Sequence, residues 1–162
     1  MEIERKYLIK ELPKQLESFP HDEISQAYIS TDPVIRIRKQ NQDYILTLKS
    51  KGLLAREEIE MPISKESFLH LMTKKDGINI EKTRYKIPEP HGYLIELDVF
   101  HGVYEGFIMA EIEFPDMESA NSYTPPEWFG KDVTLDSRFH NSNLSRQTPE
   151  NITEFLKFIT KN

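Results

Sequence analysis

The feature of this sequence that most constrains its fold is a charged residue at every second position of successive short segments. Glu2, Glu4 and Lys6 begin the chain with this spacing, and Arg36 and Arg38 repeat it. Side chains two residues apart leave the same face of a β-strand, so each segment predicts a strand with one charged and one apolar face. The same spacing recurs in Thr47 and Lys49, in Arg56, Glu58 and Glu60, in Lys82 and Arg84, in Glu96 and Asp98, and in Glu111 and Glu113.

The alternation and the turn residues together predict the elements of the chain. Strands are predicted over 1–9, 25–31, 33–40, 43–50, 55–61, 80–87, 92–99 and 106–114. Turn-prone residues such as Asp32-Pro33 separate them, which is typical of antiparallel hairpins.

Apolar residues at helical spacing predict a helix over 65–75 capped by Ser64 and a last helix that begins near Pro149, with shorter helices near 13–18 and 116–122. An ordered loop is predicted over 123–131, and one domain over 1–162.

The composition limits the class of protein. The chain has 162 residues, a formal net charge of −6 and no cysteine, which excludes disulfides, thiolate metal sites and a cysteine nucleophile. No run approaches the roughly 18–20 apolar residues of a membrane-spanning helix, and the acidic first residues lack the basic flank of a signal peptide. We therefore expect a cytoplasmic protein without a membrane partner. The acidic balance also disfavours a nucleic-acid coat function.

The charged faces fit two arrangements. In the simpler one they face water, and the apolar residues form the core. Two features favour the opposite orientation, in which the charged faces point inward. Acidic and basic residues are segregated by strand, so like charges on one strand repel each other. The amphipathic helices also need an apolar sheet surface to cover. With the helices packed on the outside, the sequence predicts an α+β fold. Its centre is a closed eight-stranded antiparallel β-barrel with a polar, charged interior.

Such an interior has a defined ligand chemistry. Carboxylates gathered in a partly buried site raise one another's pKa values unless a cation relieves them. Glu2, Glu4, Glu111 and Glu113 therefore predict a hard divalent metal bound through oxygen. Clustered Lys and Arg side chains need an anion with several acceptor oxygens. A triphosphate that carries Mg²⁺ or Mn²⁺ satisfies both requirements.

The charged motifs also occur together, and in the same order, in a known family. Glu2-x-Glu4-x-Lys6 resembles the ExExK signature of CYTH domains, also called triphosphate tunnel metalloenzymes. The resemblance covers residues 1 to about 145 and includes a matching tail. In this tail the chain has Asp132 where the family usually has Glu, and Phe139-His140 where the family usually has Tyr followed by a variable residue. The other matching motifs are Arg36-x-Arg38, Leu46-Thr47-Leu48-Lys49, Arg56-x-Glu58-x-Glu60, Lys82-Thr83-Arg84, Glu96-x-Asp98 and Glu111-Ile112-Glu113-Phe114.

The resemblance implies a role for each charged row. Glu2, Glu4 and Glu113 would bind the metal that touches the phosphates, and Glu111 would contribute to that site or to a second one. Glu58, Glu60, Glu96 and Asp98 would be counter-ions or ligands of a second metal, two roles that the sequence does not separate. The residues expected along the triphosphate path are Lys6, Arg36, Arg38, Lys49, Arg56, Lys82, Arg84 and Arg138.

The expected chemistry is hydrolysis, because phosphoryl transfer needs positioning and charge neutralisation more than covalent chemistry. Water would be the nucleophile, activated by a second metal, or by Lys82 or Lys6 if neighbouring cations lower the pKa of that lysine. Inorganic triphosphate is the leading substrate, with one or two Mg²⁺ or Mn²⁺ ions, because the short chain has no spare domain to recognise an organic group. The alternatives are a CYTH-type adenylate cyclase, a thiamine triphosphatase, and a non-catalytic polyphosphate or nucleotide sensor, each as a monomer or homodimer.

The remaining polar and aromatic residues predict structural roles. The five histidines, His140 among them, have no metal-ligand spacing and are predicted to be surface or loop residues. Trp128 is predicted to anchor the loop over 123–131 and not to hold a nucleobase.

Overall fold

A computed structural model describes residues 1–161 and shows a single antiparallel sheet curled into a barrel. Each strand pairs antiparallel with its neighbours, as expected for segments joined by short hairpins. The strands within these residues are β1 (Glu2–Ile9), β2 (His21–Thr31), β3 (Val34–Gln40), β4 (Asp43–Lys49), β5 (Ala55–Arg56), β6 (Glu58–Pro62), β7 (Asp76–Pro88), β8 (Leu94–His101), β9 (Ile108–Glu113) and β10 (Phe129–Asp132).

The barrel is nearly closed by the first strand. The sheet runs in the order β10-β1-β9-β8-β7-β2-β3-β4-β6, and β5, one residue before β6, pairs with the start of β1. One edge of β1 therefore pairs with β9, whereas its other edge pairs with β5 at Glu2 and Ile3 and with β10 from Tyr7 onward. When β5 and β6 are taken as one interrupted strand, the ring has the eight positions that the sequence predicts.

All eight predicted strands are confirmed, with three differences in detail. The fifth is interrupted at Glu57, and β2 and β7 begin about four residues earlier than predicted. β10 lies where the sequence predicts only a loop, because four residues are too few to show a clear alternation. Gly130 in β10 lies against β1 so closely that a Cβ atom would approach the Leu8 carbonyl oxygen to 3.1 Å.

The helices confirm most of the predicted positions. Helix α1 (Lys65–Met72) begins at the predicted cap, since the Ser64 hydroxyl accepts a hydrogen bond from the Ser67 amide at 3.0 Å. Helix α2 (Met117–Ser122) and helix α4 (Pro149–Lys161) also lie as predicted. The predicted helix near 13–18 is only a 3-10 turn, and the short helix α3 (Asn141–Leu144) was not predicted. No helix within residues 1–161 is both long and apolar enough to cross a lipid bilayer.

The inner face of the barrel changes from charged to apolar along its strands. Leu8, Ile80, Phe100 and Met109 continue the inward-facing rows of charged residues, and all four are buried in one apolar cluster. Helix α4 packs its apolar stripe against this cluster and so covers the end of the barrel, whereas α1 packs on the outer face against Ala27 and Ile37. The charged rows are therefore confined to the remainder of the interior.

Candidate active site

A cavity of about 260 Å³ lies inside the barrel, and charged side chains form most of its wall. The inward parity of the strands brings together thirteen of the sixteen residues predicted for the site. They are Glu2, Glu4, Lys6, Arg36, Arg38, Lys49, Arg56, Glu58, Glu60, Arg84, Glu96, Glu111 and Glu113.

Three predicted site residues do not line this cavity. Lys82 and Asp98 are fully buried beside it, with Lys82 Nζ 2.7 Å from an Asp98 carboxylate oxygen. Arg138 lies outside it, where the guanidinium pairs with Asp136 at 2.6 Å and stacks over the Phe158 ring at 4.6 Å. The structure therefore does not bring Arg138 to the predicted triphosphate path, because a neighbouring carboxylate holds it near the surface.

The cavity also contains uncharged residues that the charge pattern does not show. Tyr28, Gln40, Asn141 and Ser142 line its wall, and Asn141 Oδ1 accepts a hydrogen bond from Lys82 Nζ at 3.2 Å. The parity of β2 is the signal that would have found Tyr28, since this residue lies opposite inward-facing Arg36 in the β2–β3 pair. No such signal exists for Asn141 and Ser142, which reach the cavity from α3.

Lys6 lies at the centre of the strongest ion-pair network. Its Nζ contacts a Glu4 oxygen at 2.8 Å and a Glu111 oxygen at 3.0 Å. Burial would lower the pKa of Lys6, but Glu111 and Glu4 outweigh it and raise that pKa above its ordinary value. Burial likewise opposes the ionisation of Glu111, yet Lys6 and Arg84 hold the pKa of this carboxyl well below its usual range. Both groups are therefore charged at neutral pH.

Lys82 has the opposite electrostatic environment. Burial lowers the pKa of Lys82 to about 7, with Asp98 opposing the shift and Arg84 adding to it. Asp98 itself keeps a lowered pKa, because Arg84 and Lys82 outweigh the effect of its burial. Burial and Arg84 therefore favour the uncharged form of Lys82, whereas the Asp98 carboxylate favours the ammonium.

Two buried guanidinium groups form the part of the cavity best suited to an anion. The Arg38 Nε donates to the Gln26 side-chain oxygen at 2.8 Å, and no carboxylate within residues 1–161 forms a salt bridge with Arg38. Arg36 donates to the Thr47 hydroxyl at 3.1 Å, and its nearest carboxylate oxygen, on Glu60, is 3.7 Å away. Burial, together with Arg36 and Arg84, lowers the pKa of Arg38. An anion placed here would relieve the repulsion among these cations.

Carboxylates with too little compensating charge occupy another part of the wall. Glu4 and Glu113 are direct partners in the β1–β9 pair, where like charges repel. Burial raises the pKa of Glu113, and the nearby Glu2 and Glu4 raise it further. Burial also raises the pKa of Glu2, although Lys49 Nζ lies 2.9 Å from its carboxylate.

This donor set fits a hard divalent cation, since Mg²⁺ and Mn²⁺ prefer carboxylate oxygens. Within residues 1–161, no three acidic or histidine side chains are already arranged as a ligand set. Lys6 and Lys49 occupy oxygens of Glu4 and Glu2, so a metal would compete with these ammonium groups. Glu111 is held between Lys6 and Arg84, which makes it a counter-ion in this arrangement.

His140 lies in the short bend before α3, a loop position as predicted, but it is buried. Only 4% of the residue is exposed, and its Nε2 atom has no hydrogen-bond partner within residues 1–161. Burial, with Lys6 and Arg56 nearby, lowers the pKa of His140 to about 4, so the imidazole is neutral at pH 7.

Comparisons with known proteins agree with this architecture. A family model described as CYTH domain matches residues 1–147. An inorganic triphosphatase of Nitrosomonas europaea is 40% identical over 152 residues, which cover 91% of this chain and 99% of the relative. An inorganic triphosphatase of Acetivibrio thermocellus is 34% identical over 158 residues, 94% of this chain and 98% of the relative. The crystal structure of the inorganic triphosphatase NE1496 aligns with a TM-score of 0.70 at 36% identity, over 92% of this chain and 97% of that one.

Proposed function

The chain belongs to the CYTH domain family, and we propose on this basis that it hydrolyses inorganic triphosphate. Two relatives of nearly the same length are named inorganic triphosphatases, which supports this substrate. In the reaction, water attacks a terminal phosphorus and the bridging P–O bond breaks. Pyrophosphate and orthophosphate leave, and the proton lost by the water passes to a base on the protein.

The observation that carries this proposal is the division of one cavity into two parts of opposite charge. Arg38 is a buried cation without a salt bridge within residues 1–161, and the carboxylate nearest to buried Arg36 is the exposed Glu60 at 3.7 Å. Glu4 and Glu113, by contrast, face each other as like charges. A polyphosphate anion alone would satisfy the first part, and a cation alone would satisfy the second. A metal-bound triphosphate satisfies both, since the metal carries positive charge and the phosphates carry the acceptor oxygens.

The proposed metal is Mg²⁺ or Mn²⁺, held by Glu2, Glu4 and Glu113. When bound, such an ion neutralises phosphate charge and orients the phosphoryl group for attack. The basic residues of the wall would hold the phosphates in place and stabilise the charge that develops on the leaving pyrophosphate. Glu58, Glu60 and Glu96 would be counter-ions of these basic groups, since each lies within 3.7 Å of Lys49, Arg36 or Arg84.

We assign the proton acceptor to Lys82 in preference to Lys6. Lys6 is held as an ammonium by two carboxylates, so it has no free lone pair to accept a proton. Lys82 has a pKa of about 7, and its Nζ lies beside the cavity, 3.2 Å from Oδ1 of the wall residue Asn141. The attacking water would have to contact Nζ itself, because an amide oxygen does not relay a proton. A base whose pKa lies near the working pH combines a useful unprotonated fraction with adequate basicity. Asp98 would stabilise the ammonium that forms after the proton transfer.

The proposal is tested with purified protein, tripolyphosphate and either Mg²⁺ or Mn²⁺. Orthophosphate should appear with the wild type, and Glu4→Gln should lose most of the activity because the wall loses a charged oxygen ligand. Glu81→Gln is the matched control, since Glu81 is an exposed glutamate on β7 whose side chain lies outside the cavity. ATP, GTP and thiamine triphosphate are assayed in parallel for phosphate and cyclic nucleotide.

Three outcomes would contradict the proposal. Equal activity of the wild type and Glu4→Gln would remove the acidic part of the cavity from the mechanism. Cyclic AMP with pyrophosphate, formed from ATP faster than any phosphate release, would identify a cyclase. Tight binding of tripolyphosphate in calorimetry, with no product after long incubation with either metal, would identify a sensor.

A further inference from the structure

The charged rows of two neighbouring strands show where the active-site cavity opens. Along β7 the exposed fraction of the inward side chains rises from 0% at Lys82 to 8% at Arg84 and 39% at Lys86. Along β8 it rises from 0% at Asp98 to 30% at Glu96. In the opposite direction both strands continue into the apolar cluster that α4 covers. Lys86 and Glu96 therefore lie at the mouth of the cavity.

Lys86 is a cation of this mouth that lies outside the charged motifs of the sequence. It continues the inward parity of β7 two residues beyond Arg84, directly opposite Glu96 in the β7–β8 pair. Glu96 nevertheless contacts Arg84, at 3.3 Å, whereas Lys86 Nζ lies 2.9 Å from Oδ2 of Asp22 on β2. Among residues 1–161, no other carboxylate lies within salt-bridge distance of Lys86. The position of this ammonium group therefore depends on Asp22.

Asp22 joins Lys86 to the wall of the cavity. Gln40 lines the cavity, and its Nε2 donates to the same Asp22 Oδ2 atom at 2.8 Å. Asn41 Nδ2 donates to the other carboxylate oxygen of Asp22 at 2.7 Å. Burial raises the pKa of Asp22, but hydrogen bonds from Lys86 and the two amides outweigh burial and lower it, so the group is a carboxylate at neutral pH.

These amide donors allow Lys86 to leave Asp22. Asp22 is buried, and a buried carboxylate without a partner is unfavourable. Gln40 and Asn41 would remain bonded to both of its oxygens after the ammonium moved away. The lysine side chain is partly exposed and flexible, so its ion pair is screened by water and readily exchanged. An anion with several charged oxygens is a stronger partner for the ammonium than one carboxylate.

A triphosphate that approaches this mouth meets unfavourable charge. The chain has a net charge of −6, and the wall residues Glu96 and Glu113 are partly or fully exposed carboxylates. A cation at the rim of a binding site attracts an anion from solution and raises the rate of association. Lys86 is placed to supply this attraction, because it is the most exposed of the basic side chains that β7 directs inward.

We propose that Lys86 captures the triphosphate at the mouth of the cavity and that Asp22 is the residue that positions Lys86 for this role. In the free protein Asp22 holds the ammonium beside the wall. The incoming substrate draws Lys86 Nζ onto a phosphate oxygen, while Gln40 and Asn41 keep Asp22 hydrogen-bonded. The inference rests on the proposed function, since it concerns how the same substrate enters the same cavity, and it adds no chemical step.

The test measures kcat and kcat/KM for tripolyphosphate with Mg²⁺ in five proteins, at low and at high ionic strength. Lys86→Gln should lower kcat/KM roughly ten-fold at low ionic strength and leave kcat nearly unchanged, because kcat/KM includes capture from free solution. Asp22→Asn removes the anion that restrains Lys86, so it should raise kcat/KM roughly three-fold. Both changes should shrink at high ionic strength, where exposed charges are screened.

The matched controls are Lys157→Gln and Glu154→Gln, which separate the partners of an exposed ion pair on α4. Neither control should change kcat/KM. An unchanged kcat/KM in Lys86→Gln would overturn the capture role, and an unchanged value in Asp22→Asn would overturn the positioning role. A loss in both variants that persists at high ionic strength would overturn both roles, because it would show that the pair only maintains the fold.

Lys86→Gln keeps the test valid if Asp22→Asn fails to fold, because the Lys86 side chain is partly exposed. A wild type inactive on tripolyphosphate would instead refute the proposed function. Calorimetric dissociation constants of the same five proteins for tripolyphosphate with Mg²⁺ would then test the capture role, with weaker binding expected for Lys86→Gln and tighter binding for Asp22→Asn. A wild type that neither hydrolyses nor binds tripolyphosphate would overturn both proposals.

Discussion

Lys6 and Lys82 show how neighbouring residues give one side-chain type two chemical roles. Both ammonium groups are buried inside the barrel, where desolvation disfavours the charged form. Two carboxylates offset this effect at Lys6, whereas Arg84 and Arg38 add to it at Lys82. Among residues 1–161, only the Asp98 carboxylate lies within salt-bridge distance of Lys82. The sequence could name both lysines as candidate bases, but it could not choose between them. The choice depends on contacts between strands far apart in the chain.

The first prediction concerns the pH dependence of hydrolysis. Lys82 must be unprotonated to accept a proton, and its pKa is about 7. We therefore expect kcat to rise with pH through about 7 and to level off above it. Lys82→Arg keeps a positive charge that does not titrate in this range, so it should lose roughly 10²–10⁴-fold in kcat and the rising limb of the profile.

The control for this profile is Lys39→Arg, a Lys-to-Arg change on the outer face of β3, outside the active-site cavity. It should leave both the rate and the profile unchanged. A Lys82→Arg variant that keeps the wild-type pH profile would show that another group takes the proton.

The second prediction concerns Gln26, which positions a guanidinium group without touching the cavity wall itself. Its side-chain oxygen accepts a hydrogen bond from Arg38 Nε at 2.8 Å. Gln26→Glu keeps the shape but gives Arg38 an anionic partner that competes with the substrate phosphates. We expect KM for tripolyphosphate to rise roughly ten-fold while kcat changes little, since the loss falls on substrate binding. Steady-state kinetics of Gln26→Glu and the isosteric Gln26→Met measure this effect, and an equal KM in both variants would contradict it.

At the scale of elements, the sequence predicted the strands well because charged and apolar residues alternate with a period of two. It predicted the covering of the barrel less well. Leu8, Ile80, Phe100 and Met109 continue the inward parity as apolar residues, but the alternation alone does not show where a charged interior ends. Tertiary packing also determines that α4 covers the apolar end of the barrel. The same holds for the placement of α3 beside the cavity and of Arg138 outside the cavity.

The third prediction follows from the packing of α4. The Phe155 ring lies within 5.8 Å, between ring centroids, of Tyr104, Phe107 and Phe139, which join it to the cluster at the end of the barrel. Phe155→Ala should lower the free energy of unfolding by about 2–4 kcal/mol, because a largely buried ring leaves a cavity. Glu154→Ala, at an exposed position of the same helix, should change it by less than about 0.5 kcal/mol.

Chemical denaturation measures both free energies of unfolding. Because Phe155 does not line the active-site cavity, kcat/KM of the Phe155→Ala variant should stay at the wild-type value well below its melting temperature. A loss of activity without a loss of stability would mean that α4 acts on the cavity directly.

At the scale of the whole molecule, the net charge of −6 is a poor guide to the ligand. The active-site cavity collects seven carboxylates and six basic groups, so its wall is nearly neutral before any ion enters. The strand pattern indicated this gathering of charge, since residues of equal parity meet on one face of a closed sheet. It did not indicate which carboxylates lack a partner, because the pairing of Glu111 with Lys6 and Arg84 is set by register across the four strands β1, β9, β8 and β7.

The final prediction uses that imbalance to measure metal binding without an activity assay. Repulsion among Glu2, Glu4 and Glu113 destabilises the metal-free barrel, so a divalent cation should stabilise the folded chain. At a Mg²⁺ concentration about 100 times the dissociation constant, the free energy of unfolding should rise by about 2.7 kcal/mol, which corresponds to a rise of roughly 5–10 °C in Tm for a domain of this size.

Glu113→Gln removes one of the repelling charges and one metal ligand together. Its metal-free Tm should therefore exceed that of the wild type, while its rise with Mg²⁺ should be smaller. Glu81→Gln should match the wild type in both measurements. If Glu113→Gln kept the full rise with Mg²⁺, Glu113 would be excluded as a metal ligand. If the variant instead lowered the metal-free Tm, repulsion by the Glu113 carboxylate would be excluded as a source of instability.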